Sequence, residues 1–253
     1  MIGVVTEIAA WRALRAGPGF AGRRVGFVPT MGALHAGHRA LLERARAEND
    51  RVVLSIFVNP TQFDDPADLS RYPRTWEADL ALAEGLADHV FAPTAGGLYP
   101  DDYHYRVSEG LLSQRWEGEH RAGHFEGVLT VVLKLLNLVQ PHRTYFGEKD
   151  WQQLQLVRGM VGALFLPLEI IACPTVREAD GLALSSRNRR LSPSGRAGAA
   201  VFPRILRESS TAAAAAAALH AAGLEVDYVD DAEGVRLGAV RVEGVRLIDN
   251  VRL

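Results

Sequence analysis

The sequence contains almost no lysine. Of its 28 basic residues only Lys134 and Lys149 are lysines, and the rest are arginines. Where a diffuse surface charge suffices this chain uses arginine, so each lysine points to a place where a compact ammonium has a use. Cysteine is scarcer still. Cys173 stands alone among 253 residues, which excludes an internal disulfide framework and suits a reducing cytoplasm. No apolar run approaches the length of a membrane span, and the N-terminus lacks a basic region followed by a long apolar stretch, so neither a membrane partner nor a secretory signal is expected. Neither sign of charge is in excess: a formal net charge of −2 offers no basic surplus for a nucleic acid backbone. Repeats and low-complexity tails are missing too. What is left is a soluble globular chain, 48% hydrophobic, large enough for one full core and a smaller second domain.

The stretch that organises the chain is Pro29-Thr30-Met31-Gly32-Ala33-Leu34-His35-Ala36-Gly37-His38. Before it, residues 24–28 are short, apolar and β-branched, as in a buried parallel strand. After it, Leu41, Leu42 and Ala45 recur at helical spacing while Arg39, Glu43, Arg44 and Arg46 turn outward. The pattern predicts a strand, a tight turn and a helix starting near Gly37. His35 and His38 stand nearly one helical turn apart at that start, where unpaired N–H groups and the positive end of the helix dipole suit an anion such as a polyphosphate. Gly32 and Gly37 leave room for a flat ligand. A bare His-x-x-His has two plainer readings: a zinc pair, though no further ligand stands nearby, or ordinary helix-start residues.

Taken in order, the rest reads as alternating strands and helices. A helix is expected over 6–15, with Thr6 as its cap, and a strand over 52–58. That strand runs into Asn59-Pro60-Thr61-Gln62-Phe63, a loop at the sheet edge where ligands sit, with Asn59 and Gln62 as neutral hydrogen-bonders; turn chemistry is the plainer account. A helix follows over 76–86, a strand over 90–92 and an edge strand over 103–107. Residues 115–123 read as irregular, either a lid or a surface loop. The apolar helix over 125–139 carries one polar stripe, Glu126, Thr130, Lys134 and Asn137, which faces solvent or walls a wet pocket. Strand 144–146 ends in Gly147-Glu148-Lys149-Asp150 and a helix starts at Trp151 with Gln152, Gln153 and Gln155, repeating the opening design. After a strand over 168–172 comes Leu184-Ser185-Ser186-Arg187-Asn188, whose hydroxyls and guanidinium suit phosphate. From Ser192 the character changes to an alanine-rich helix over 211–222 and strands over 226–229, 237–242 and 245–253. The predicted organisation is thus a parallel α/β domain over 1–191 and a small α+β domain over 192–253.

Together these stretches closely resemble the pantothenate synthetase family, ligases that join pantoate to β-alanine with ATP. The resemblance runs through the stretch at 29–38, Phe-Val-Asn-Pro-Thr-Gln-Phe at 57–63, Gly-His-Phe-Glu-Gly-Val-Leu-Thr-Val-Val at 123–132, Tyr-Phe-Gly-Glu-Lys-Asp-Trp-Gln-Gln-Leu at 145–154, Asp-Gly-Leu-Ala-Leu-Ser-Ser-Arg-Asn-Arg at 180–189 and Arg-Leu-Ile-Asp-Asn at 246–250. It implies a Rossmann-like nucleotidyltransferase domain of the kind shared with class I aminoacyl-tRNA synthetases. It further implies that Met31, Gly32, Ala33, Leu34, His35, Ala36, Gly37 and His38 form the ATP signature, with His38 as proton donor. Gly147, Glu148, Lys149 and Asp150, with Val176, Leu184, Ser185, Ser186 and Arg187, would also hold ATP. Gln62 would contact both pantoate and β-alanine, and Gln153 would hold pantoate. Asn59 and Arg121 occupy positions the family uses in its site. His35, His38, Lys149 and Arg187 are the groups suited to charge on the phosphates, Mg²⁺ is expected on the triphosphate, and the family suggests a cytoplasmic homodimer. Another nucleotidyltransferase of the superfamily is the alternative, one with no need for the paired Gln62 and Gln153. Three departures from the family pattern are Leu184 where methionine is frequent, Trp151 where tyrosine is usual, and a C-terminal domain that reads as short.

Overall fold

The computed structural model describes residues 2–253. Six strands form one sheet: β1 (Gly3–Val5), β2 (Val25–Thr30), β3 (Arg51–Ile56), β4 (His89–Phe91), β5 (Arg143–Gly147) and β6 (Glu169–Cys173). Their order is β1-β4-β3-β2-β5-β6, and every pairing is parallel. The helices around it are α1 (Ile8–Arg15), α2 (Ala36–Glu48), α3 (Trp76–Ala83), α4 (His124–Val139) and α5 (Trp151–Ala163).

The strand sequences follow from burial on both faces. Phe27, Val53, Phe91 and Phe146 point into one apolar layer with Trp11 of α1, Leu129 and Val132 of α4 and Leu154 and Val157 of α5. Their immediate neighbours in the strands, Val28, Leu54, Val90 and Tyr145, point into the opposite layer with Leu41, Leu42 and Ala45 of α2 and Ala83 of α3. An alternating polar face would have left one layer unsealed. Strand order reverses at β2, with β3 and β4 on one side and β5 and β6 on the other. In open α/β sheets ligands bind at the carboxyl ends of the strands flanking such a reversal.

The chain divides into two compact units. One holds the chain up to Leu34, His38–Gly147 and Gln152–Cys173; the other holds His35–Gly37, Glu148–Trp151 and Pro174–Leu253. By packing, the second unit takes in the chain from Pro174 onward and two short segments from the signature regions. Its sheet is antiparallel, in the order β7 (Glu225–Ala232), β8 (Val235–Val242), β9 (Val245–Arg252). Helices α6 (Val201–Glu208) and α7 (Ala212–Ala221) cover it. Phe202, Leu206, Ala215 and Leu219 pack with Val240, Leu247 and Val251, at the spacings of four that put side chains on one helix face.

The structure differs from the sequence expectations at several points. Residues 103–107 form no strand: Asp102 and Tyr103 have φ of +49° and +63°, and the N–H of Val107 donates to the Thr130 side chain instead of a neighbouring strand. Three of the four residues in the polar stripe of α4 bind a neighbouring segment, while Asn137 is exposed to solvent as expected. Glu126 pairs with Arg106 at 3.1 Å, Thr130 receives Val107, and Lys134 pairs with Asp101 at 2.6 Å. That stripe docks the 98–107 segment. Helices Pro193–Ala199 and Val201–Glu208 were not expected, though Ser192 supplies a standard cap by accepting the Gly195 N–H at 3.0 Å. Helix α1 is entered through Glu7 rather than Thr6 and makes no side-chain cap bond. Among the described residues no helix is long and apolar enough to cross a membrane.

Candidate active site

In the first unit, β2 ends at Thr30 and the chain turns sharply through Met31, Gly32, Ala33 and Leu34. Gly32 and Ala33 both lie in the left-handed region, at φ of +82° and +52°. For alanine that conformation is costly, by about 1 kcal/mol, so something holds it. The holder is Asp79 of α3, 2% exposed. Its Oδ2 accepts the Ala33 N–H at 2.9 Å, and its Oδ1 accepts the Leu34 N–H at 2.7 Å and the Thr75 hydroxyl at 2.9 Å. The turn is a nest of N–H groups that already contains an anion. Gly32 donates to the Thr30 hydroxyl at 3.2 Å, and a Cβ on it would stand 2.9 Å from the Asp79 carboxylate. The backbone donors of 32, 33 and 34 are therefore committed inside the protein, in the turn that precedes the helix start.

The loop after β3 carries the two predicted amides. Asn59 Nδ2 donates to Gln62 Oε1 at 3.0 Å and to the Gly127 carbonyl at 3.2 Å. Its Oδ1 accepts the Tyr99 hydroxyl at 2.7 Å and the Thr61 hydroxyl at 3.1 Å. Asn59 is thus a support for Gln62, with both side-chain polar atoms engaged. His124, at the start of α4, bonds through Nδ1 to the Gln62 carbonyl at 2.8 Å. Arg121 donates to His124 Nε2 at 3.0 Å and to the Gln62 carbonyl at 3.4 Å, and pairs with Asp64 at 3.1 Å. The structure therefore brings Asn59, Gln62 and Arg121 together. Gln153 lies half-buried on α5, with no hydrogen-bond partner among the described residues. Its neighbour Gln152 is buried and holds the 112–117 segment: it donates to the Leu112 and Arg115 carbonyls at 2.8 and 2.7 Å and accepts the Glu117 N–H at 3.0 Å. The expected irregular segment over 115–123 contains a short helix, Glu117–His120, and is tied down by Gln152 and Arg121. His38 stands half-buried in the first turn of α2.

The second unit carries the other predicted residues. His35 Nδ1 accepts the Gly37 N–H at 3.1 Å, so the imidazole caps the start of the helix. Its pKa is pushed down from 6.5 to about 4, first by burial and then by the positive charges of Lys149 and Arg189, against the opposing charge of Asp150. His35 is therefore neutral at working pH, with Nδ1 an acceptor and the proton on Nε2. It offers a hydrogen bond, not a cation. Glu148–Asp150 form one 3₁₀ turn, whose Glu148 and Lys149 carbonyls accept from Asn250 Nδ2 at 2.8 and 2.9 Å. Lys149 pairs with Asp150 at 3.4 Å. Asn250 is held in turn, since its carbonyl accepts from Arg177, which pairs with the buried Asp249 at 2.6 Å. Val176 and Leu184 are brought side by side: the Leu184 N–H donates to the Val176 carbonyl at 3.0 Å. Ser185 Oγ accepts the Arg187 N–H at 3.2 Å, starting the 3₁₀ turn Ser186–Arg190.

A family model described as pantoate-beta-alanine ligase matches residues 3–252. The chain belongs to that family. A pantothenate synthetase of Bdellovibrio bacteriovorus is 54% identical over 249 residues, covering 98% of this chain and 97% of its own. That of Coxiella burnetii is 49% identical over 253 residues, covering 99% and 97%. A crystal structure of the pantoate-beta-alanine ligase from Francisella tularensis, complexed with beta-gamma ATP and beta-alanine, superposes with a TM-score of 0.94 at 38% identity, covering 100% of this chain and 98% of the other. Pantothenate synthetase of Thermus thermophilus follows at 0.89 and 45% identity, with 99% of each covered. The family's activity, ligation of pantoate to β-alanine, is this chain's activity. Against these relatives the C-terminal region is not short, because nearly their whole length is matched.

Asp79 and Tyr99 stand outside the stretches singled out in the sequence, while His124, Gly127 and Gln152 lie within them but had no role assigned. Asp79 had a signal: it is an acid on the inward face of an otherwise apolar-facing helix, four residues before the buried Ala83. Tyr99 carried none, and the roles of His124, Gly127 and Gln152 were hidden because each acts on a segment distant in the chain.

Proposed function

We propose that the chain makes its product through an acyl-adenylate. The pantoate carboxylate attacks the α-phosphate of ATP in line, forming the acyl–phosphate bond and releasing pyrophosphate. The amine of β-alanine then attacks the acyl carbon, loses a proton and expels AMP. The protein's part in the first step is positioning and charge stabilisation. Residues 31–38 and Gly147, Glu148, Lys149 and Asp150 hold ATP together with Val176, Leu184, Ser185, Ser186 and Arg187. Lys149 and Arg187 bring positive charge to the phosphates, His35 donates from neutral Nε2, and His38 is the proton donor. Mg²⁺ is carried on the triphosphate, whose oxygens suit a hard cation, and neutralises its charge. Gln62 and Gln153 hold pantoate, Gln62 also meets β-alanine, and Arg121 stands beside them. The segment over 115–123 shelters the adenylate from water. We also propose a cytoplasmic homodimer and a functional division at 191/192.

The observation that carries this reading is the whole-length likeness to a ligase crystallised with beta-gamma ATP and beta-alanine. The test is exchange of labelled pyrophosphate into ATP. Exchange that needs pantoate and not β-alanine supports a free adenylate; exchange that appears only when β-alanine is added rules it out.

A further inference from the structure

The amide of Asn59 has only one orientation open to it. It is 1% exposed, and one of its two amide atoms faces the Gly127 carbonyl at 3.2 Å. A carbonyl only accepts, so that atom is the nitrogen. The Asn59 oxygen then faces Tyr99 and Thr61, which donate to it at 2.7 and 3.1 Å. The second Asn59 hydrogen goes to Gln62 at 3.0 Å, so the Gln62 atom it meets is the oxygen. Gln62 is 9% exposed, and its Nε2 has no hydrogen-bond partner among the described residues. Close approach of the two backbones makes the chain of bonds possible: a Cβ on Gly127 would stand 2.5 Å from the Thr61 carbonyl oxygen and 2.7 Å from the Gln62 nitrogen.

We propose that Tyr99, Asn59 and Gly127 form a positioning relay that fixes the polarity of Gln62, so that it meets the acid substrate as a hydrogen-bond donor through Nε2, on an oxygen of the pantoate carboxylate. Tyr99 and Gly127 are positioning residues: they touch Asn59, and Asn59 touches Gln62. The inference rests on the placement of Gln62 in the pantoate pocket proposed above. Burial pushes the Tyr99 hydroxyl up to about 12, so it stays a donor across the working pH range. A glutamine free to rotate would present oxygen and nitrogen equally, and would accept the ammonium of β-alanine as readily as it donates to a carboxylate. The relay removes that ambiguity.

Three variants test this, each read as KM for pantoate, KM for ATP and kcat, with thermal melting as the folding check. Gln62→Ala tests the placement: a native pantoate KM means that Gln62 is not in the acid pocket, and the underlying reading fails. Gln62→Glu tests the polarity, because it puts an oxygen where Nε2 stands. The expected result is a pantoate KM raised at least as far as in Gln62→Ala, with ATP KM within about twofold. Retained native pantoate use in Gln62→Glu, with Gln62→Ala impaired, overturns the donor assignment. Tyr99→Phe tests the relay and keeps the ring. Pantoate KM should rise about tenfold, the scale of one lost hydrogen bond, while ATP KM and the melting temperature stay near native. A Tyr99→Phe enzyme with native pantoate KM, or with both KM values raised together, overturns the relay.

Discussion

Replacing Asp79 with asparagine changes one atom and should disable the signature turn. In the native arrangement the carboxylate oxygens take the N–H groups of Ala33 and Leu34 at 2.9 and 2.7 Å. In Asp79→Asn the amide oxygen can keep Leu34 and the Thr75 hydroxyl, but an NH₂ then faces the Ala33 N–H. One charge-assisted bond is lost, about 1.5–3 kcal/mol, and a buried donor is left unpaired, about 1–3 kcal/mol. Relief from burying a charge offsets part of this. The net expectation is about 3 kcal/mol, or roughly 6–12 °C in melting temperature for a chain of this size. With the clamp gone, Ala33 at φ +52° relaxes towards ordinary backbone, and the chain leaves the turn in a different direction. Pantoate-dependent pyrophosphate exchange should therefore fall at least about tenfold, because misplacing phosphate-binding groups by an ångström costs up to about 10² in rate. The assay is exchange at a temperature where the variant is folded, beside a melting curve. An Asp79→Asn protein that melts within about 2 °C of native and exchanges at the native rate refutes the clamp. One that melts lower but exchanges normally shows that the turn's geometry is not needed for chemistry.

Two further outcomes follow from the second unit. His35 should titrate near 4 rather than 6.5, so its ¹³C or ¹⁵N imidazole shifts should stay those of the neutral ring down to pH 5. Because the folded pKa is depressed, the stability linked to His35 is present in full above 6.5 and is lost as pH falls towards 4; a measured value near 6.5 refutes both the burial and the charge argument. Lys149→Arg keeps the charge but replaces a compact ammonium with a broad guanidinium, in a turn whose backbone is already held by Asn250. Single-turnover adenylate formation should slow at least about a hundredfold, about 2.7 kcal/mol of transition-state stabilisation, with normal melting. A native rate would make Lys149 only a diffuse charge.

Local chemistry was legible in the sequence. The apolar run before Met31, the glycine and the two histidines, and the helical spacing of Leu41, Leu42 and Ala45 all act within a few residues, so β2, the turn and α2 could be read directly. The same holds for the run into Gly147, Glu148 and Lys149. Lys134 shows the limit of such reading. Its rarity hinted at a use, but that use is to bind Asp101 at 2.6 Å and the Leu98 carbonyl at 3.2 Å, a contact between segments more than thirty residues apart.

By itself the sequence determined the element types of the parallel domain, the family and the residue types available for the reaction, because periodicity, turn chemistry and motif spacing are properties of short stretches. Strand order, the reversal at β2 and the two-layer burial were decided by the tertiary structure, since pairing partners lie far apart in the chain. So were the roles of individual polar atoms. Whether Asn59 touches substrate or supports Gln62, whether the N–H groups of Ala33 and Leu34 are open or taken by Asp79, and whether His35 is a cation or a neutral donor each depend on what stands within 3 Å. Composition and spacing do not encode that distance; only the packed chain does.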